Sequence, residues 1–195
     1  MKRRFLLAFL LSCALATLSA FQPSGNSNNF GGMRLLGKSC LAANGNTFDT
    51  PVANSTESGE LTIETEIPNY IGGADTLGWR FNKDTGNNYR YAWQTRAIAG
   101  TTADCANQAT STDRIKLGCA DATTGRIVTG HVSNVSGKFH IVRLEGQTDT
   151  GSVASQPNFD NGTGGYSQTG FITTVTTFTS TNSMSKGTCT TVYGR

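Results

Sequence analysis

Acid–base or nucleophilic chemistry needs a histidine or a displaced carboxylate beside a nucleophile. The 195-residue chain offers only two histidines, His131 and His140. His140, Glu145 and any of the many Ser or Thr hydroxyls make a histidine–carboxylate–nucleophile set on paper. No strand–turn–helix nucleophile elbow accompanies them. His140 lies between Phe139 and Ile141 in a strand pattern, so packing or a cross-strand bond is its expected role. Glu64 and Glu66 share one strand face, where they read as its solvated side and not as two acids projecting into a cleft. Asn82, Asp84 and Asn88 supply oxygens that could suit calcium, but counting from Asn82 puts Trp93 where an EF-hand needs its bidentate glutamate. Asp84 is therefore expected to accept bonds from local N–H groups. No catalytic residue, metal or cofactor is expected, and the chain reads as a non-enzyme.

The aromatic residues are the other candidates. Trp79, Phe81, Tyr89, Tyr91 and Trp93 fall within fifteen residues and include both tryptophans. Most should build a core between sheets. An exposed subset of Trp79, Tyr89, Tyr91 and Trp93 would make a stacking platform for sugars or a patch for a neighbouring subunit. The sequons at Asn54, Asn134 and Asn161 are candidate glycan acceptors on exposed loops.

These residues must be positioned by strands. Gly, Thr, Ser and Asn are abundant while Leu, Lys and Glu are scarce, a composition that favours strands and tight turns over helices. Tyr89, Tyr91 and Trp93 alternate with Arg90, Ala92 and Gln94, and the turn Asp84–Asn88 precedes them. This predicts a hairpin over 77–99, with Gly86 at positive φ. Leu61, Ile63 and Ile67 should point inward from a strand that Pro68 ends. Residues 126–132 and 138–144 predict a second pair joined near 134–137, with the latter strand central. Residues 171–179 and 189–193 predict two more strands. The stretches 100–124, apart from a possible strand at 114–117, and 146–170 read as polar loops, the second with a turn-rich tip at 158–165. The expected fold is all-β: one antiparallel sandwich of jelly-roll type with about seven to nine strands over 59–195. Residues 21–58 are expected as a flexible arm and first extended segment.

The first 20 residues, with Lys2, Arg3 and Arg4 before an apolar run and Ala20 at its end, form a secretory signal peptide. Its removal takes three of the 16 basic residues and leaves 13 against 13 acidic ones. A neutral chain without a Lys/Arg cluster argues against nucleic acid as a partner and against docking on an anionic membrane. No later stretch is apolar enough for a membrane span. Four cysteines then remain, Cys40, Cys105, Cys119 and Cys189, which allow three pairings. The expected pair of disulfides is Cys105–Cys119, stapling a local loop, and Cys40–Cys189, tying the N-terminal segment to the last strand.

Arg80-Phe81-Asn82-x-Asp84-x-Gly86-x-Asn88-Tyr89 resembles a signature of small β-rich domains in bacteriophage tail-fibre and virion-associated proteins. The terminal Thr191-Val192-Tyr193-Gly194 resembles the short strand that ends such domains, and Gly130–Lys138 falls where they carry a hairpin. The resemblance spans roughly 60–195 and implies a structural or adhesive role. The leader also resembles the bipartite plastid-targeting leader of diatoms: Phe21 follows Ala20, and no acid precedes Asp49. That likeness implies a plastid destination and a lattice-forming protein of the pyrenoid-shell kind, in place of an extracellular one. The expected function is a non-catalytic protein that self-associates or adheres to a surface, with lectin-like glycan binding as the alternative. Its expected partners are further copies of itself or a cell-surface glycan or protein.

Overall fold

The computed structural model describes residues 32–71, 77–96, 105–117, 124–148 and 158–195. The residues expected to form a leader, Phe21 and Cys119 lie outside them. Thirteen strands run through the described residues: β1 (Arg34–Cys40), β2 (Thr47–Pro51), β3 (Glu60–Ile71), β4 (Leu77–Phe81), β5 (Tyr89–Arg96), β6 (Cys105–Thr112), β7 (Ile115–Lys116), β8 (Thr124–Ser133), β9 (His140–Thr148), β10 (Asn158–Tyr166), β11 (Thr174–Thr179), β12 (Ser183–Met184) and β13 (Cys189–Gly194). One antiparallel sheet has the order β1-β13-β3-β8-β9-β10-β5-β6, with β12 beside the far end of β3. The other has the order β2-β11-β4-β7. The two pack as the expected all-β sandwich.

Period-two patterning decides most of the large sheet. Leu61, Ile63, Thr65 and Ile67 of β3 are buried while Glu64 and Glu66 are exposed. Val128 and Val132 of β8 and Val142 and Leu144 of β9 join them in the core. The β8–β9 pair forms as expected and is central. Each such side chain, taken fully out of water, contributes roughly 1.5–3 kcal/mol.

Several expectations are corrected. The strands β4 and β5 are not a hairpin: β4 joins the small sheet and β5 the large one, so residues 82–88 form an arch from one layer to the other. The strand count exceeds seven to nine because β1, β2, β6 and β10 arise in stretches expected as arm or loop, and β12 between two expected strands. From Arg34 onward the arm is part of the sandwich: β1 pairs with β13 and β2 with β11. The presumed tip at 158–165 is β10, paired on both sides with β9 and β5. Its glycines serve close packing. A Cβ on Gly162 would stand 2.7 Å from the Trp93 ring, so the indole occupies the space a side chain would take. Gly130 does the same for Trp79, at 2.4 Å. Pro68 does not end β3, which continues to Ile71. On one flank, β13 stops opposite Glu66 and β12 starts opposite Tyr70, so Pro68 stands at a break between partner strands.

The layers are tied by buried polar bonds. Trp79 Nε1 donates to Thr65 Oγ1 at 3.0 Å, Thr65 meets Thr190 at 2.8 Å, and Thr190 meets Thr177 at 2.7 Å. Arg126 on β8 reaches Asp160 on β10 at 2.9 Å and donates to the Leu117 carbonyl at 2.6 Å, with both charged side chains buried. Cys40 and Cys189, directly opposite in β1 and β13, form the expected disulfide. Closing a loop with a sequence separation of 149 is worth roughly 5 kcal/mol in chain-entropy terms. The proposed Cys105–Cys119 partner bond lies outside the described residues.

Candidate functional site

The signature stretch is a structural corner. Asn82 and Lys83 take the left-handed backbone, at φ 54° and 58°. Gly86 does not; a Cβ there would meet Asn88 Nδ2 at 2.8 Å, so crowding accounts for the glycine. Asp84 accepts from the Gly86 N–H at 2.8 Å and from Asn88 Nδ2 at 2.9 Å. Burial acts to raise the Asp84 carboxyl, but those two bonds and one from Tyr166 outweigh it and hold it below the usual carboxylate range. Asn82 donates to the Phe171 carbonyl and accepts from the Thr173 N–H, which binds the arch to the approach of β11. The Tyr89 hydroxyl accepts from the Phe81 N–H at 2.9 Å and lies 3.1 Å from the carbonyls of Phe81 and Asp84. Burial pushes the Tyr89 and Tyr166 hydroxyls far up from their ordinary value.

The proposed aromatic platform does not form. Trp79, Tyr89 and Trp93 are buried, Tyr91 packs half-buried against the core, and Trp93 Nε1 donates to the Lys116 carbonyl. The reason is parity: Trp79 faces inward from β4, and Tyr89, Tyr91 and Trp93 share the inward face of β5, with Arg90, Ala92 and Gln94 on the outward one. Tyr89 stacks on Tyr166 at 4.7 Å, and Tyr166 stacks on His140 at 5.6 Å.

His140 fills its structural role. Its ring nitrogens lie 2.7 Å from the Ser133 carbonyl and 2.8 Å from the Gly170 carbonyl. It faces inward and Glu145 outward, so they cannot share a proton. His131 Nδ1 approaches both Thr62 Oγ1, at 3.3 Å, and Glu60 Oε1, at 3.4 Å. A relay needs the acid and the nucleophile on different ring nitrogens, and here both crowd one. Of the sequons, Asn54 and Asn161 are exposed. Asn134 is buried: it donates to the Ser55 and Ser58 carbonyls and accepts from the Ile172 N–H, so it cannot carry a glycan in this fold. Asn134 is a structural bracket.

The small sheet's outer face is closed by its own contacts. Phe178 lies beneath the guanidinium groups of Arg80 and Arg114, at 4.1 and 4.7 Å, and Asp113 pairs with both. Burial acts to raise the Asp113 carboxyl, and the two arginines more than reverse it, leaving it below the usual range. Nearby, Asp49 accepts from Thr176 and pairs with Lys83 at 2.8 Å.

The large sheet's outer face differs. Strand register arranges it in rows: Ile141, Gly165 and Arg90; then His131, Arg143, Thr163 and Ala92; then Thr129, Glu145, Asn161 and Gln94. Arg143 and Glu145 make no ion pair among the described residues. Phe139 and Ile141 are 68% and 70% exposed, more than any other large hydrophobic residue described. Ile141, Arg143 and Glu145 form a ridge along β9. Gly165, Thr163 and Asn161 form a trench floor along β10, with hollows of 250 and 420 Å³ over it. Single-residue reasoning missed this face, because its members are ordinary until β9 and β10 are known to be neighbours. No protein-family model, curated protein or solved structure matches the chain.

Proposed function

We propose that this chain is a non-catalytic adhesion or assembly module that works through the outer face of its eight-stranded sheet. The observation that carries this reading is the contrast in commitment of side chains. Asp84, Tyr89 and Tyr166 at the corner, Trp79, Trp93, Arg126 and Asp160 in the core, and Arg80, Arg114, Asp113 and Asp49 at the small sheet are spent on internal contacts. The β9–β10 face instead presents exposed apolar groups beside uncommitted charges of both signs, the composition of a docking surface. The phage tail-fibre resemblance supports the same role, since the residues that carry it build the corner and not a reaction centre.

The test is the mass of the purified chain by light scattering with negative-stain imaging, followed by an oligosaccharide array. Discrete or extended oligomers, or retention on a surface ligand, are the expected results. Retention of neutral glycans by a monomer would favour the lectin-like version. A dispersed monomer that binds no glycan or cell surface, yet turns over a glycoside, would overturn the reading.

A further inference from the structure

We infer that the β9–β10 face is the contact between two copies of this chain, related by a two-fold axis running parallel to the strands between β9 and β10. The inference rests on the adhesion or assembly reading and names its partner as a second copy. Such an axis places β9 of one copy over β10 of the other and keeps the rows in register. Ile141 then enters the hollow above Gly165 of the second copy, beside the flexible Arg90 side chain that borders it. Arg143 meets the Thr163 hydroxyl, and Glu145 meets the Asn161 amide, a donor for its carboxylate. The same operation seats the second copy's ridge in this copy's trench, as an isologous interface requires.

Charge complementarity fixes the choice of axis. Glu60 lies opposite Ser133 in β3, on the far side of β8 from the ridge. Arg90 lies opposite Gly165 in β5, on the other side of the trench. The two-fold brings Arg90 of each copy above Ser133 of the other, one strand spacing of about 4.8 Å from Glu60. Two acid–base pairs therefore flank the apolar contact. An axis perpendicular to the strands through the middle row would set Glu60 of one copy toward Glu64 of the other and lose this match. Taken over five strand spacings and the length from Phe139 to Glu145, the covered patch is about 500 Å² per copy. That is the size of a weak, reversible interface, which other contacts could extend into larger arrays.

Sedimentation velocity on the full chain over a wide concentration range tests the inference. The wild type should form a dimer. Glu60→Arg and Arg90→Glu should each weaken it about tenfold or more, since each sets like charges together, and the double exchange should restore it. Gly165→Leu should abolish the dimer by filling the socket while leaving the thermal midpoint near wild type, because its Cβ would press on the flexible Arg90 side chain and lie 3.6 Å from the His140 carbonyl, and the rest of the side chain would extend over the outer face. A wild type that stays monomeric would overturn the inference and leave adhesion to another surface standing. Oligomers indifferent to all four variants would also overturn it, and would move self-association to another surface, such as the β6 edge. Failure of the double exchange to restore a dimer that both single variants had broken would overturn the proposed register.

Discussion

The two outer faces of this sandwich are made of similar residues and do opposite things with them. On the small sheet, Arg80, Arg114, Asp113 and Phe178 satisfy one another, and Asp49, Lys83 and Thr176 do the same beside them. On the large sheet, Arg90, Arg143 and Glu145 stand apart at row spacing, with Phe139 and Ile141 bare beside them. A closed set of contacts stabilises its own layer. An open set costs little to cover with a partner, because few internal bonds must be broken first. Exposure alone does not separate the two faces; the state of the side-chain pairs does.

Four measurements bear on that comparison. The buried Arg126–Asp160 pair sets its upper limit: Asp160→Ala should destabilise by about 3–5 kcal/mol in denaturant unfolding, since it takes the counter-charge from a buried guanidinium. A loss under 1 kcal/mol would mean that the pair is solvated and the interior less closed than described. Next comes the corner that joins the faces. Tyr89→Phe leaves the Phe81 N–H without its acceptor and should cost about 1–3 kcal/mol.

The closed face and the corner should also carry an acid-side signature. Asp49, Asp84 and Asp113 all lie below their ordinary value of 3.8 in the folded chain. A depressed folded value means that the unfolded chain binds protons first as pH falls. Their contribution is therefore complete above about pH 4 to 5 and drains away below that range, through the folded values. Asp113→Asn should flatten the stability-against-pH curve there, and a curve parallel to wild type would remove Asp113 from the closed set. The smallest effect belongs to the open face: Arg143→Ser should change unfolding stability by less than about 0.5 kcal/mol. A larger loss would show that the ridge is already committed within one copy.

Much of the fold was legible in residue order. Alternation in β3, β8 and β9 reported which side chains turn inward, and the role of His140 followed from its neighbours. Asp84 was legible as a turn acceptor from its local chemistry, and the Cys40–Cys189 bond was one of the three pairings that the even cysteine count left open. The misreadings have one physical origin. Turn chemistry at 82–88 reports that the chain bends, but not whether the next strand pairs with the last or crosses to the other layer. Left-handed backbone at Asn82 and Lys83 is the local cause of the bend, while the Tyr89 contacts and the Asn82 bonds to 171–173 that hold the arch are long-range or depend on packing. Likewise, a glycine-rich stretch such as β10 has no pattern of its own, because its strand character comes from Trp93 and the backbones on either side.

Residue types and their period of two determined by themselves that this chain is an all-β sandwich, and which parity of each patterned strand faces the core. That information is local, carried by side chains a few residues apart. Tertiary structure alone decided that β4 and β5 belong to different layers, that both tryptophans are sealed over glycines, and that a ridge on β9 lies beside a trench on β10. Those outcomes depend on contacts between distant segments, where packing volume and pairing partners outweigh any preference of the residues concerned.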